Sequence, residues 1–201
     1  AARTPALTHG SPLYIAQRNT VVIGSNDGVV YAYNATSGEP LWTYATGGDI
    51  KMRAAYDEKR DQVIFASTDA TCYALDTRTG RPNFAQLTGG DMYSTPLVLG
   101  DTIYISSLDK RIYALDAITG KIQSYFETSG RIFSSPAYAD GSIWIGSNDG
   151  RLYELSADTL VLKGFHQFSE RVINKMVYDN ETKRFFVLTV ANEIYCMERA
   201  S

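Results

Sequence analysis

The sequence predicts an all-β chain folded as a five-bladed β-propeller of four-stranded antiparallel blades. Three observations lead there. A tyrosine recurs at Tyr31, Tyr73, Tyr113, Tyr153 and Tyr195, and a fixed period of about forty residues marks repeated blade units. Around each copy lie short blocks of β-branched and aromatic residues bounded by turn formers, which read as strands. Within those blocks apolar residues stand side by side rather than alternating, as strands covered on both faces require.

Each element follows from its column. The innermost strands are led by Pro12-Leu13-Tyr14, Ala54-Ala55-Tyr56, Pro96-Leu97-Val98, Pro136-Ala137-Tyr138 and Met176-Val177-Tyr178. The second strands cover 21–25, 63–67, 103–107, 143–147 and 185–189, with small residues at Gly24, Ala66, Ser106 and Gly146 where adjacent sheets crowd. The third strands carry the recurring tyrosine. Between second and third lie Asn26-Asp27-Gly28, Thr68-Asp69-Ala70, Leu108-Asp109-Lys110 and Asn148-Asp149-Gly150, tight hairpins by composition. Their Asp27, Asp69, Asp109 and Asp149 read as turn residues bonding their own backbone, in preference to a ring of free carboxylates. A turn at Ser37-Gly38, Thr79-Gly80 and Thr119-Gly120 then leads into the fourth strand, which begins Leu41-Trp42-Thr43-Tyr44 in the first copy.

The 201 residues make one domain of five repeats, at 11–50, 51–92, 93–132, 133–172 and 173–201, the last completed by 1–10. Ala6-Leu7-Thr8-His9-Gly10 resembles Gln86-Leu87-Thr88-Gly89-Gly90, so residues around 2–8 are expected to supply the fourth strand of the last blade. Such a clasp pairs edges that would otherwise be exposed and closes the ring. One irregularity stands out: Thr8 and Pro12 are closer in sequence than Thr88 and Pro96.

Composition excludes several functions. With 19 Lys+Arg against 22 Asp+Glu there is no electrostatic footprint for nucleic acid, and no apolar run nears the roughly 18 residues that span a bilayer. Two Cys and two His give neither a disulfide framework nor a metal site. Cys72 and Cys196 fall in columns that are apolar or small in other copies, and read as buried free thiols. His9 and His166 lack a nucleophile or ligand partner.

The turn and fourth strand carry a signature. Ala32, Asn34, Ser37-Gly38 and Trp42, then Ala74, Asp76, Thr79-Gly80 and Phe84, then Ala114, Asp116 and Thr119-Gly120 resemble the repeat of pyrroloquinoline-quinone-type propellers. The likeness covers essentially the whole chain and weakens in the last two copies. It implies that Trp42 and Phe84 dock one blade on the next. Members of that family include quinone-dependent dehydrogenases, lipoprotein scaffolds of outer-membrane assembly, and repeat domains of adenylate-forming enzymes. The dehydrogenases are usually eight-bladed, hold quinone with Ca²⁺ at the ring centre and often place an adjacent Cys pair against it. Five repeats and the separated Cys72 and Cys196 depart from that pattern, so no cofactor is expected. The resemblance also points to a periplasmic or extracellular location.

Recognition is expected where each fourth strand leads into the next innermost strand. These lead-in segments read Asp49-Ile50-Lys51-Met52-Arg53, Asp91-Met92-Tyr93-Ser94-Thr95, Arg131-Ile132-Phe133-Ser134-Ser135 and Arg171-Val172-Ile173-Asn174-Lys175. The second position is always apolar and is expected to pack. The flanking positions switch among acidic, basic and aromatic, which fold maintenance does not require. Segments on a rigid scaffold are where recognition resides. A channel-mouth rim of Asp49, Lys51, Arg53, Asp91, Tyr93, Arg131, Phe133, Arg171 and Lys175 is therefore the candidate binding site. Its expected role is a non-catalytic interaction module, monomeric, for a protein or peptide. The alternatives are a binder of carbohydrate or a small acid, and an enzyme, either quinoprotein-related or a glycoside hydrolase using Asp49 and Asp91 as paired acids.

Overall fold

The computed structural model describes residue 4 and residues 6–198. The first sheet holds β1 (Leu13–Ile15), β2 (Thr20–Gly24), β3 (Val29–Asn34) and β4 (Pro40–Ala45). The second holds β5 (Ala55–Asp57), β6 (Gln62–Ala66), β7 (Thr71–Asp76) and β8 (Pro82–Leu87). The third holds β9 (Leu97–Leu99), β10 (Thr102–Ser106), β11 (Arg111–Asp116) and β12 (Ile122–Glu127). The fourth holds β13 (Ala137–Ala139), β14 (Ser142–Gly146), β15 (Arg151–Ser156) and β16 (Leu162–Gln167). The fifth has three strands, β17 (Val177–Asp179), β18 (Arg184–Leu188) and β19 (Ile194–Glu198). Neighbours in every sheet are consecutive in sequence and antiparallel. The pairing of third with fourth strand slips at one repeated place, after Ala32, Ala74, Ala114 and Glu154.

Consecutive apolar residues do mark strands buried on both faces. Every residue of β6 and β14 is buried, and each sheet presses on its neighbours through one apolar cluster. The clusters join first to second sheet through Val22 and Phe65, second to third through Ile64 and Ile103, third to fourth through Ile112 and Ile145, and fourth to fifth through Trp144 and Phe185.

The small column is needed by the lead-in segments. A Cβ on Gly24 would come within 2.2 Å of the Ile50 side chain, and one on Gly146 within 2.5 Å of Val172. Three of the lead-ins also bridge two sheets through their backbone. The Ile50 N–H donates to the Ser25 carbonyl of the first sheet at 3.1 Å, while the Asp49 carbonyl accepts from Thr68 of the second at 2.9 Å. Met92 and Asp91 repeat the arrangement with Ser67 and Leu108, and Val172 and Arg171 with Ser147 and Val190.

Two expectations about the chain ends are corrected. Among the described residues, no apolar cluster joins the fifth sheet to the first, and the expected ring closure is not found. Instead the end sheets alternate in burial: β18 reads exposed, buried, exposed, buried, exposed. Val177, Phe186, Leu188 and Ile194 are all exposed, Ile194 at 75%. They occupy columns that face the next sheet in the other repeats. Apolar runs forecast burial on both faces, but a sheet with a neighbour on one side buries one.

The clasp strand is the second correction. Residues 1–3 and 5 lie outside the described residues, and Ala6–Gly10 form no strand. The Leu7 carbonyl accepts from the Asn26 N–H at 3.0 Å, the bond made by Asp49, Asp91, Arg131 and Arg171 in the later repeats. Residues 7–12 are thus the lead-in of the first sheet, in register with 91–96, and the apparent irregularity before Pro12 disappears. The resemblance of Leu7-Thr8 to Leu87-Thr88 misled because two shared residues do not fix a register, whereas the bond from Asn26 to Leu7 does.

Candidate interaction site

The lead-in segments touch one another from sheet to sheet. Their second residues, Ile50, Met92, Ile132 and Val172, are buried, which fixes the direction of the residues on either side. The third positions form a row. Lys51 is within electrostatic reach of Tyr93, and the Tyr93 ring meets Phe133 at 5.7 Å between centroids. Further along, the Thr95 N–H donates to Ser135 Oγ at 2.9 Å and Ser134 Oγ to the Asn174 carbonyl at 3.0 Å. The backbone below the row is thereby tied across three sheets.

Charge on this rim is unevenly neutralised. Lys51 pairs with Asp49 at 2.7 Å, and the hydrogen bond to that carboxylate holds the ammonium above its ordinary pKa. Arg53, Arg131, Arg171 and Lys175 are exposed and make no ion pair among the described residues. Asp91 and Arg131 line one depression with Leu108 and Asp109. Lys175 lines another, with Leu97, Tyr138 and Tyr178 on the innermost strands. The structure thus gathers Asp49, Lys51, Tyr93 and Phe133, brings Asp91 to Arg131, and sets Lys175 apart.

The hairpin aspartates are consumed by structure. Asp27 Oδ1 accepts the Val29 N–H and Asp69 Oδ1 the Thr71 N–H, the turn bonds expected of them. Their second oxygens accept tyrosine hydroxyls four residues on: Tyr31 to Asp27 at 2.8 Å, Tyr73 to Asp69 at 2.8 Å and Tyr153 to Asp149 at 2.6 Å, with Tyr113 to Asp109 repeating the pair. Asp69 also takes the Gly47 N–H of the preceding sheet at 2.8 Å. Burial, then the carboxylate, pushes Tyr31 and Tyr73 up to about 12. Sequence reading found the tyrosine column and the aspartate column separately; their constant spacing of four was the unused signal.

Trp42 and Phe84 lie between sheets. The Trp42 Nε1–H donates to the Thr77 carbonyl of the second sheet at 2.8 Å, and its ring covers Gly80; Phe84 covers Gly120 of the third sheet in the same way. Cys72 is buried but Cys196 is exposed, a correction to the reading of both thiols as interior. Cys196 shares the column of Ala32 and Ala74, which face the next sheet, and on the fifth sheet that face is open. His9 meets the Asn26 side chain at 3.1 Å, and the His166 ring lies tilted against Phe168 with 4.5 Å between centroids.

A depression of about 550 Å³ lies among Arg60, Gln62, Asn83 and Asp101. It is a structural junction: Arg60 binds Asp57 at 2.8 Å, the Gly100 carbonyl at 3.2 Å and Asp101. No three His, Cys, Asp or Glu side chains converge among the described residues.

A family profile described as outer membrane protein assembly factor BamB matches residues 3–92 and 26–159. No curated protein sequence matches the chain. Among solved structures, the crystal structure of BamB from Moraxella catarrhalis superposes with a TM-score of 0.81 at 20% identity, over 96% of this chain and 62% of that one. The chain therefore spans under two thirds of the length of that propeller.

Proposed function

As the chain belongs to the family of outer membrane protein assembly factor BamB, we propose that it is a non-catalytic interaction module holding a protein or peptide partner on its lead-in rim. The carrying observation is the row Lys51, Tyr93 and Phe133 flanked by the exposed, unpaired Arg53, Arg131 and Arg171. Flat rings supply apolar contact with little rotamer entropy to lose, and arginine supplies directional charge; both are enriched at binding hot spots. The partner's matching surface is acidic. Asp49, the first of the two acids that a glycosidase reading needs, is tied to Lys51 at 2.7 Å, which favours binding over hydrolysis. The family's name links it to assembly at the outer membrane, so a periplasmic location and a partner in that process are part of the proposal.

A photo-crosslinking residue in place of Phe133 tests it in native extract, with one in place of the outer-strand Gln123 as control. One discrete adduct is expected from position 133, lost when Arg131 and Arg171 are both changed to Glu. An adduct that survives this charge reversal, or equal labelling from position 123, would remove the rim from the proposal.

A further inference from the structure

We propose that the outer margin of the junction between the third and fourth sheets is a second docking surface, built on Arg151 and Phe165, for an acidic segment of a partner protein. The inference rests on the interaction-module reading. The argument starts from two cross-strand pairs at the hairpin end of each outer strand. In the first sheet they are Val29 with Ala45 and Tyr31 with Thr43; in the second, Thr71 with Leu87 and Tyr73 with Ala85. In the third they become Arg111 with Glu127 and Tyr113 with Tyr125, and in the fourth Arg151 with Gln167 and Tyr153 with Phe165. The first two sheets show that the fold needs neither the cation nor the outer ring. Both outer rings are also left in solvent, Tyr125 at 52% and Phe165 at 50% exposure.

In both later sheets the guanidinium lies over the ring, Arg111 above Tyr125 at 4.5 Å and Arg151 above Phe165 at 4.4 Å from the centroid. Stacking of this kind holds the planar fork ready for a partner. The two sheets differ in the third member of the group. Arg111 donates from Nε and Nη2 to Glu127 Oε2 at 2.9 Å each and is neutralised there. Arg151 donates from Nε to Gln167 Oε1 at 3.0 Å, an uncharged acceptor. Gln167 is itself locked, its Nε2 donating to the Phe168 carbonyl at 2.9 Å and the Asp149 carbonyl at 3.2 Å. Arg151 therefore keeps the posture of Arg111 but makes no ion pair among the described residues. Guanidinium and carboxylate match as paired forks, so an Asp or Glu from outside is the complement of this surface.

The neighbouring rings give that acid an apolar setting. Phe165 lies 6.1 Å from Tyr153, and Tyr153 lies 5.4 Å from Phe126 of the third sheet. Tyr153 belongs to the cluster joining these two sheets, which places the surface on the side turned to the third sheet, away from the fifth. Deeper in the same junction the signature ring is missing. Ser124 pairs with Ala114 where Trp42 and Phe84 pair with Ala32 and Ala74. Leu160, in the glycine column, is buried in the shared cluster and fills the space from the opposite side. The interior is closed by that exchange, so contact is made at the margin.

The test uses the full chain labelled with ¹⁵N and follows the arginine Nε–H resonances, with Arg111 as internal control. The peptide acetyl-Phe-Glu-Glu-amide is expected to shift Arg151 saturably and leave Arg111 still. Its counterpart acetyl-Phe-Gln-Gln-amide should bind about tenfold more weakly or worse, the loss expected of a charge-assisted bond. Two variants exchange residues that the fold already carries at this place. Gln167→Glu should abolish the Arg151 response, and Glu127→Gln should make Arg111 respond. An Arg151 resonance unmoved at the solubility limit of the acidic peptide overturns the proposal, as do equal responses to both peptides or a full response in Gln167→Glu. Sedimentation that shows self-association lost in Gln167→Glu would assign the surface to a second copy of the chain instead. The Arg151 response should persist when Arg131 and Arg171 are both changed to Glu, so the rim reading stands or falls separately; a response lost with that change would belong to the rim.

Discussion

Trp42 lies across Gly80 of the next sheet so closely that a Cβ there would come within 2.7 Å of the indole ring. The fit is mutual, since the indole N–H is anchored on the Thr77 carbonyl three residues before that glycine. Ring and glycine together make a junction in which the turn of one sheet is the floor of its neighbour.

Gly80 and Gly38 separate the two reasons for a glycine in that turn. Both hold positive φ, 68° and 74°, and a left-handed backbone costs an L-residue roughly 1–2 kcal/mol. Around Gly38 a Cβ would meet nothing within 4 Å. Gly38→Ala should therefore cost only the backbone term, about 1–2 kcal/mol. Gly80→Ala should cost more by a further 1–3 kcal/mol or so, the usual penalty of overpacking. Denaturant unfolding of the two variants measures the difference directly, and equal losses would show that Trp42 does not rest on Gly80 as described.

How much of this was readable before any coordinates follows from particular columns. The strands, their order and the packing role of Ile50, Met92, Ile132 and Val172 were legible because the same chemistry recurs in every copy. The junctions were legible only where the signature residue is present. Ser124 and Leu160 compensate one another across two sheets, an exchange that looks like decay of the motif when each repeat is read alone. The chain ends were misread for a different reason. Apolar runs such as Phe185-Phe186-Val187-Leu188 report the capacity to be covered, whereas burial depends on whether a neighbouring sheet is there. The rim is nominated by variability at its flanking positions, but the ion pair of Lys51 with Asp49 was not legible, because it depends on side-chain reach.

The paired tyrosines and aspartates predict a late alkaline transition. Ordinary tyrosine ionises near pH 10, while burial and the nearby carboxylates lift Tyr31 and Tyr73 to about 12 and raise Tyr113 and Tyr153 as well. In the unfolded chain these hydroxyls lose their protons first. The stability they contribute is therefore complete below about pH 10 and drains away as pH rises towards 12. Absorbance at 295 nm should resolve a tyrosine class ionising well after the rest of the 14. Asp69→Asn should move Tyr73 part of the way back, because burial, the larger cause, remains. All tyrosines ionising together near pH 10 with the β-sheet spectrum intact would contradict the pairing.

The two thiols should differ by orders of magnitude in reactivity. Cys72 is fully buried among Ile64, Ala74 and Ile103, and desolvation alone pushes its pKa up to about 12. At pH 8 that leaves roughly one molecule in ten thousand as the reactive thiolate, even before access is considered. Cys196 lies on the uncovered face of the fifth sheet and is exposed. An aromatic disulfide reagent should therefore titrate one thiol per chain quickly in the native protein. The second should react only at the rate of unfolding, and should become fast in denaturant. Cys196→Ser should remove the quick phase and leave the slow one, whereas two equal phases in the native chain would mean that the second sheet is not enclosed by its neighbours.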